Sequence, residues 1–127
     1  MGKRVAILGA LSDSELAGQL KSAHLLAVPS SYEGFGIVYL ESRGFGLPAI
    51  GSKAGGAGEI IAHGQDGFLL PVDDVYSLAR HLHRLNADRN MLAAMSLQAF
   101  QKYQSHPTWQ QTCRKITAFM ESMTARK

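Results

Sequence analysis

Pro29-Ser30-Ser31-Tyr32-Glu33-Gly34-Phe35-Gly36-Ile37-Val38-Tyr39-Leu40-Glu41 is the stretch that decides how this chain is read. The apolar run Leu25-Leu26-Ala27-Val28 leads into it as a strand and is stopped by Pro29. A helix is expected to follow from about Gly36 to Gly44, with Glu33 at its mouth and Glu41 inside it. Glycine there lets a ligand come close to the main chain. The first amides of a helix have no internal partner and sit at the positive end of its dipole, a setting that holds phosphate. Ionised carboxylates only accept, which suits pairs of hydroxyl donors. Helical rise puts Glu41 roughly 7 Å beyond Gly36. One ligand carrying both phosphate and hydroxyls would satisfy all three features.

Outward from this segment, short apolar runs alternate with helical patterns. Val5-Ala6-Ile7-Leu8 reads as a first buried strand, and Gly9-Ala10-Leu11 turns into the capping box Ser12-Asp13-Ser14-Glu15. Leu16, Ala17, Leu20 and Ala23 mark the buried side of the helix behind it. Ala49-Ile50-Gly51 is a third strand, Gly55 to Gly58 opens a brief helix, and Phe68-Leu69-Leu70 is a fourth strand after a turn over His63 to Gly67. Beyond Asp73-Asp74 the pattern is helical: Val75, Leu78, Ala79, Leu82 and Leu85 form one stripe, and Leu92, Met95, Ala99 and Tyr103 another behind Asp88. A last helix starts at Pro107-Thr108, with Trp109, Cys113, Ile116, Met120 and Met123 on one side, Trp109 and Cys113 being expected in the core. Strand–helix alternation with wholly apolar strands implies a parallel sheet covered on both faces. Ligands of such sheets bind beyond the carboxyl ends of the strands. The loops Gly9–Ser12, Glu33–Gly36 and Gly55–Gly58 are therefore expected along one edge.

The chain has 127 residues, 46% of them hydrophobic, enough for one domain spanning 1–127. Residues 3–72 form its βα sheet region and 73–127 its helical region. The net charge of +3 comes from basic residues scattered along helices, which excludes a nucleic-acid surface. A single cysteine, Cys113, forms no internal disulfide and points to a reducing, cytoplasmic setting. Met1-Gly2 reads as an appended start, and Lys3-Arg4 leads straight into the first strand without a secretory leader. No apolar run approaches the roughly 20 residues of a spanning helix. His81 and His83 fall on different faces of a helix and read as surface residues rather than metal ligands, and Arg80 and Arg84 as a solvated pair.

From Val5 to Val72 the sequence resembles the nucleotide-binding, C-terminal domain of the family-4 retaining glycosyltransferases, enzymes of two-domain GT-B architecture. The resemblance is carried by Pro29-Ser30-x-x-Glu33-Gly34-Phe35-Gly36-Ile37-Val38-x-x-Glu41, similar to that family's Glu-x7-Glu signature. It is continued by Gly46-Leu47-Pro48, Gly55-Gly56-x-x-Glu59-Ile60-Ile61, Gly64-x-x-Gly67 and Asp74 with Leu78-Ala79, in the family's order. It implies an α/β fold: a Rossmann-like parallel sheet flanked by helices, a partial GT-B C-terminal domain ending in a helical segment. It further implies hexosyl transfer from a nucleotide-diphosphate sugar with retained configuration, without metal or other cofactor. Glu33 would be the catalytic residue and bind donor-sugar hydroxyls; Glu41 would accept from the ribose. The amides around Gly34, Phe35, Gly36 and Ile37 would meet sugar hydroxyls and pyrophosphate, Val38 would line the site, and Leu11 would lie against the base.

Two positions depart from the family pattern: His24 stands where an acid is common, and Ser42-Arg43 replaces a small-apolar pair, on the side of the helix away from the ligand. The family's phosphate-binding Arg and Lys, and its N-terminal acceptor domain, have no counterpart in this sequence. The expectation is therefore a donor-binding fragment, inactive alone, whose partners are the nucleotide sugar, the missing N-terminal acceptor domain, a second copy in a homodimer and, for the full enzyme, a membrane surface approached peripherally. Two other readings stay open: another GT-B enzyme such as a sugar-nucleotide epimerase, and a non-catalytic module that binds nucleotide sugars or a partner protein.

Overall fold

The computed structural model describes residues 4–125; the readings at Met1, Gly2 and Lys3, and the final two residues of the helical region, lie outside them. Three parallel strands form one sheet in the order β1 (Leu26–Val28), β2 (Ala49–Ser52), β3 (Gly67–Leu70). Helix α1 (Asp13–Ser22) precedes β1, α2 (Ile37–Gly44) joins β1 to β2, and α3 (Ala57–Ile60) joins β2 to β3. Then come α4 (Val75–Ala87), α5 (Arg89–Ser105) and α6 (Trp109–Thr124).

The sheet is covered on both faces, as all-parallel sheets are. Ile50, Phe68 and Leu70 pack with Leu85 of α4 and with Leu92 and Met95 of α5. On the opposite face Ala49 meets Tyr39 of α2, Ala57 of α3 and Ile61. Neighbouring residues of β2 thus serve different cores, as the two-residue period of a strand requires. Each fully buried large side chain contributes about 1.5–3 kcal/mol. The caps read from sequence are in place: Ser12 and Glu15 close a capping box on α1, and Asp74 and Asp88 accept from the amides of Ser77 and Met91 at the starts of α4 and α5.

Four expectations are corrected. Val5 to Leu8 is not a strand: it has no regular structure and is exposed, Ile7 to 95%. A strand needs a ladder partner, and among the described residues β1 pairs only with β2. In α1, Leu16 is exposed, as is its C-cap Ala23, and no residue of the helix is fully buried. In α4, Val75, Ala79 and Leu82 are exposed, while His81, expected at the surface, is buried against Phe68 with ring centroids 3.9 Å apart. The sheet contact is made by Leu85, the last residue of the stripe, with Leu78 packed beside it, and by His81. Finally, Trp109 and Cys113 are not core residues: Trp109 is 84% exposed, Cys113 is exposed, and α6 buries none of its residues. Its helical form rests on a Thr108–Gln111 capping box. Among the described residues no helix is long and apolar enough to cross a membrane.

His81 is held neutral. Burial pushes its pKa below the ordinary 6.5, and Arg80, His63 and Arg84 push the same way against a weaker pull from Asp74. Its Nδ1 is buried with no hydrogen-bond partner among the described residues. The unfolded chain therefore takes up a proton before the folded one does, so His81 destabilises the fold only as pH falls below 6.5. Urea unfolding should show stability flat above that value and declining below it, and His81→Gln should remove the part of the decline nearest 6.5.

Candidate functional site

The carboxyl ends of β1 and β2 face the same way because the strands are parallel. From them run two loops, residues 29–36 and 53–56. The loops are joined: the Gly56 amide donates to the Glu33 carbonyl at 2.8 Å. Gly55 has φ +77°, and a Cβ there would lie 1.8 Å from the Glu33 carbonyl oxygen. Only glycine fits such a position, in conformation and in space. The expected meeting of the two loops is thus found. The third loop, Gly9–Ser12, opens α1 but follows no strand.

Gly36 is the N-cap of α2 and is left-handed, with φ 76° and ψ 32°. A Cβ on it would sit 2.9 Å from the Tyr39 ring and 3.2 Å from Ile60 Cδ1. The helix's first hydrogen bonds run from the Tyr39 and Leu40 amides to the Gly36 carbonyl. The Ile37 and Val38 amides precede those bonds and have no partner within the helix.

The α2 helix divides its residues cleanly. Tyr39, Ser42 and Arg43 are buried; Ile37 and Glu41, one turn apart, are exposed; Val38 is half-buried between them. Glu41 opens on a cleft of about 300 Å³ whose walls include Asp13, Leu16, Ala17 and Leu20 of α1, Gly44 and Phe45 after it, and Tyr103 of α5. Leu11, half-buried, stands just before the N-cap of α1. Glu33 is half-buried, Gly34 and Phe35 exposed and Gly36 buried. The structure therefore brings Glu33, Gly34, Phe35, Gly36, Ile37 and Val38 into one continuous helix entry. It sets Glu41 apart from them, further along the same solvent-facing side. Glu59 is exposed on α3; its amide donates to the Gly56 carbonyl at 3.1 Å, and its carboxylate makes no hydrogen bond among the described residues.

Tyr39 escaped the sequence reading. It is 1% exposed, and its hydroxyl donates at 2.9 Å to the carbonyl of Val28, the last residue of β1. Burial raises its pKa, helped by the nearby Glu33 charge and opposed by a hydrogen bond with Ser30. Its ring lies over Gly51, where a Cβ would meet the Tyr39 hydroxyl at 2.9 Å. A glycine inside an apolar strand was the available signal, since it marks a close approach. Arg43, on the side of α2 away from Glu41, donates to the Ile60 carbonyl and pairs with the buried Asp66. Among the described residues no three of His, Cys, Asp and Glu come together as metal ligands.

A family model described as glycosyl transferases group 1 matches residues 1–102. The chain is 37% identical over 81 residues to the D-inositol 3-phosphate glycosyltransferase of Streptomyces bingchenggensis, a match covering 64% of this chain and 18% of that one. Among solved structures it is similar to the sucrose-phosphate synthase of Thermosynechococcus elongatus, with TM-score 0.84, 27% identity, and 99% of this chain but 32% of that one covered. It is also similar to Anabaena HepE in complex with UDP-glucose, with TM-score 0.82, 27% identity, and coverage of 94% and 33%. The chain thus spans a third or less of each of these proteins.

Two glycines of the helix entry separate backbone need from mere absence of bulk. Gly34 has open space around a Cβ, whereas Gly36 has neither the space nor an ordinary φ. In urea unfolding, Gly34→Ala should stay within about 0.5 kcal/mol of the parent. Gly36→Ala should lose about 1–3 kcal/mol.

Proposed function

This chain belongs to the group 1 glycosyl transferases, and from that premise we propose that it is the donor-binding part of a longer cytoplasmic enzyme that moves a hexosyl group from a nucleoside-diphosphate sugar to an acceptor with retained configuration. The observation that carries the proposal is the helix entry. Glu33, the left-handed Gly36 and the unpartnered amides of Ile37 and Val38 lie at the carboxyl edge of a parallel sheet, with Glu41 one turn beyond Ile37.

Each part has a physical role in this reading. The amides of Ile37 and Val38 and the dipole of α2 hold the pyrophosphate, and they stabilise the charge that grows on it as the sugar leaves. Glu33 accepts from hydroxyls of the sugar near its reacting carbon and faces the positive charge that builds there. Glu41 accepts from the ribose hydroxyls, a charge-assisted contact stronger than a neutral one. Leu11 supplies an apolar surface for the base beside the mouth of α1. Gly34, Phe35 and Gly36 let the donor lie against the main chain. The acceptor is read by the remainder of the longer protein, and neither metal nor other cofactor has a role. HepE has been solved with UDP-glucose in a structure of the same fold, which supports this choice of donor class.

Ligand-detected NMR and calorimetry on the chain test the reading. UDP should bind, and Glu41→Ala should weaken UDP more than inorganic pyrophosphate, by roughly tenfold for a lost charge-assisted hydrogen bond. Equal losses for both ligands would remove Glu41 from the ribose. In the longer enzyme, Glu33→Ala should slow turnover by about two to three orders of magnitude, the scale of losing one charge-stabilising group, while nucleotide affinity holds.

A further inference from the structure

We propose that Arg43 is a positioning residue for the donor site: it fixes α3, and through α3 the Glu33 loop, against the helix that carries Glu41. The inference rests on the donor-site reading above. It starts from a charged side chain on the buried face of α2.

Arg43 sits on α2 two residues past Glu41, which turns it to the buried side. Its Nη2 donates both to the carbonyl of Ile60, the last residue of α3, and to Asp66 Oδ2. The Asp66 side chain is 1% exposed, and its other oxygen accepts from the Ala62 amide at 2.8 Å. Lys102 of α5 approaches Asp66 Oδ2 at 3.4 Å. This cluster therefore clamps the carboxyl end of α3 and the turn that follows it. A cation suits that end of a helix, where carbonyls are unpartnered.

The other end of the same short helix reaches the site. Gly56, the N-cap of α3, holds the Glu33 carbonyl through its amide. Ile60 Cδ1 lies within 3.2 Å of where a Gly36 Cβ would be. A four-residue helix spans about 6 Å, so its two ends are close enough for one to position the other. Arg43 grips one end of it, and the other end grips Glu33. The position of a sugar-binding carboxylate relative to the pyrophosphate amides is thereby set from beneath, by a residue that touches no ligand. An apolar side chain at position 43 could fill the space but could not hold the Ile60 carbonyl.

The test compares the parent chain, Arg43→Met and Arg43→Met/Asp66→Asn by amide hydrogen exchange and by titration with UDP. The single variant leaves Asp66 charged, buried and short of a partner, so it should unfold more readily. The double variant removes that charge and should regain most of the stability, which takes simple unfolding out of the comparison. In the double variant the Gly56 amide should still exchange about tenfold faster than in the parent while the amides of β2 do not change, the mark of a local opening. Its UDP affinity should be lower by roughly fivefold or more. Return of both Gly56 exchange and UDP affinity to parent values along with stability would show Arg43 to be structural only. Faster Gly56 exchange with unchanged UDP affinity would also overturn the proposal. If the parent chain binds no UDP, the donor-site reading fails by itself, and Gly56 exchange still decides whether Arg43 fixes the loop.

Discussion

The carbonyl oxygen of Glu33 is where two loops meet, and the candidate site is organised around that contact. The Gly56 amide reaches it at 2.8 Å, and Gly55 must lack a side chain for the approach to occur. Each loop alone would be an exposed, glycine-rich connection with several accessible conformations, and ordering it would cost conformational entropy. Joined, they share one conformation. The contact also fixes the start of α2, because Gly36 is wedged between the Tyr39 ring and Ile60. Tyr39 then ties α2 back to β1 through the Val28 carbonyl. The result is a closed circuit of β1, its loop, α2, α3 and β2, in which the helix entry is held from several sides before any ligand arrives.

How much of this was legible in the sequence depends on range. The three strands, the caps at Ser12, Asp74, Asp88 and Thr108, and the helix entry at Gly36 are local signals, and all are present in the structure. The features missed depend on partners distant along the chain. Val5 to Leu8 carries the composition of a buried strand, but composition cannot supply a neighbouring ladder. Trp109 and Cys113 repeat with helical spacing, but spacing cannot say what lies opposite. His81 reads as a surface residue because it and His83 fall on different faces of a helix; only the fold sets it on Phe68, 3.9 Å between ring centroids. Of the site residues, Glu33 through Val38 form one structural unit, as their adjacency suggested. The separate placement of Glu41, beside α1 and Tyr103, needed the tertiary fold to be seen.

Membership of the group 1 glycosyl transferases goes with the α/β fold that the chain shares with its structural neighbours. Within that fold Arg43 pairs with Asp66. A buried ion pair is weak evidence for stability, because desolvation offsets much of the attraction, and an apolar pair of similar size often does as well. What such a pair adds is direction. Arg43 has donors at fixed angles, and they fasten α3 in one place where a methionine would let it slide.

The last helix, α6, buries no side chain. Its sixteen residues sit near the length at which an isolated helix is marginal in water, about 12–15 residues. It therefore has little tertiary packing to couple it to the body of the chain. Its ends have only its own hydrogen bonds to hold them, whereas the sheet and its flanking helices share two apolar cores. An unfolding free energy read from those cores describes the body that holds the site, with α6 as a passenger on its end.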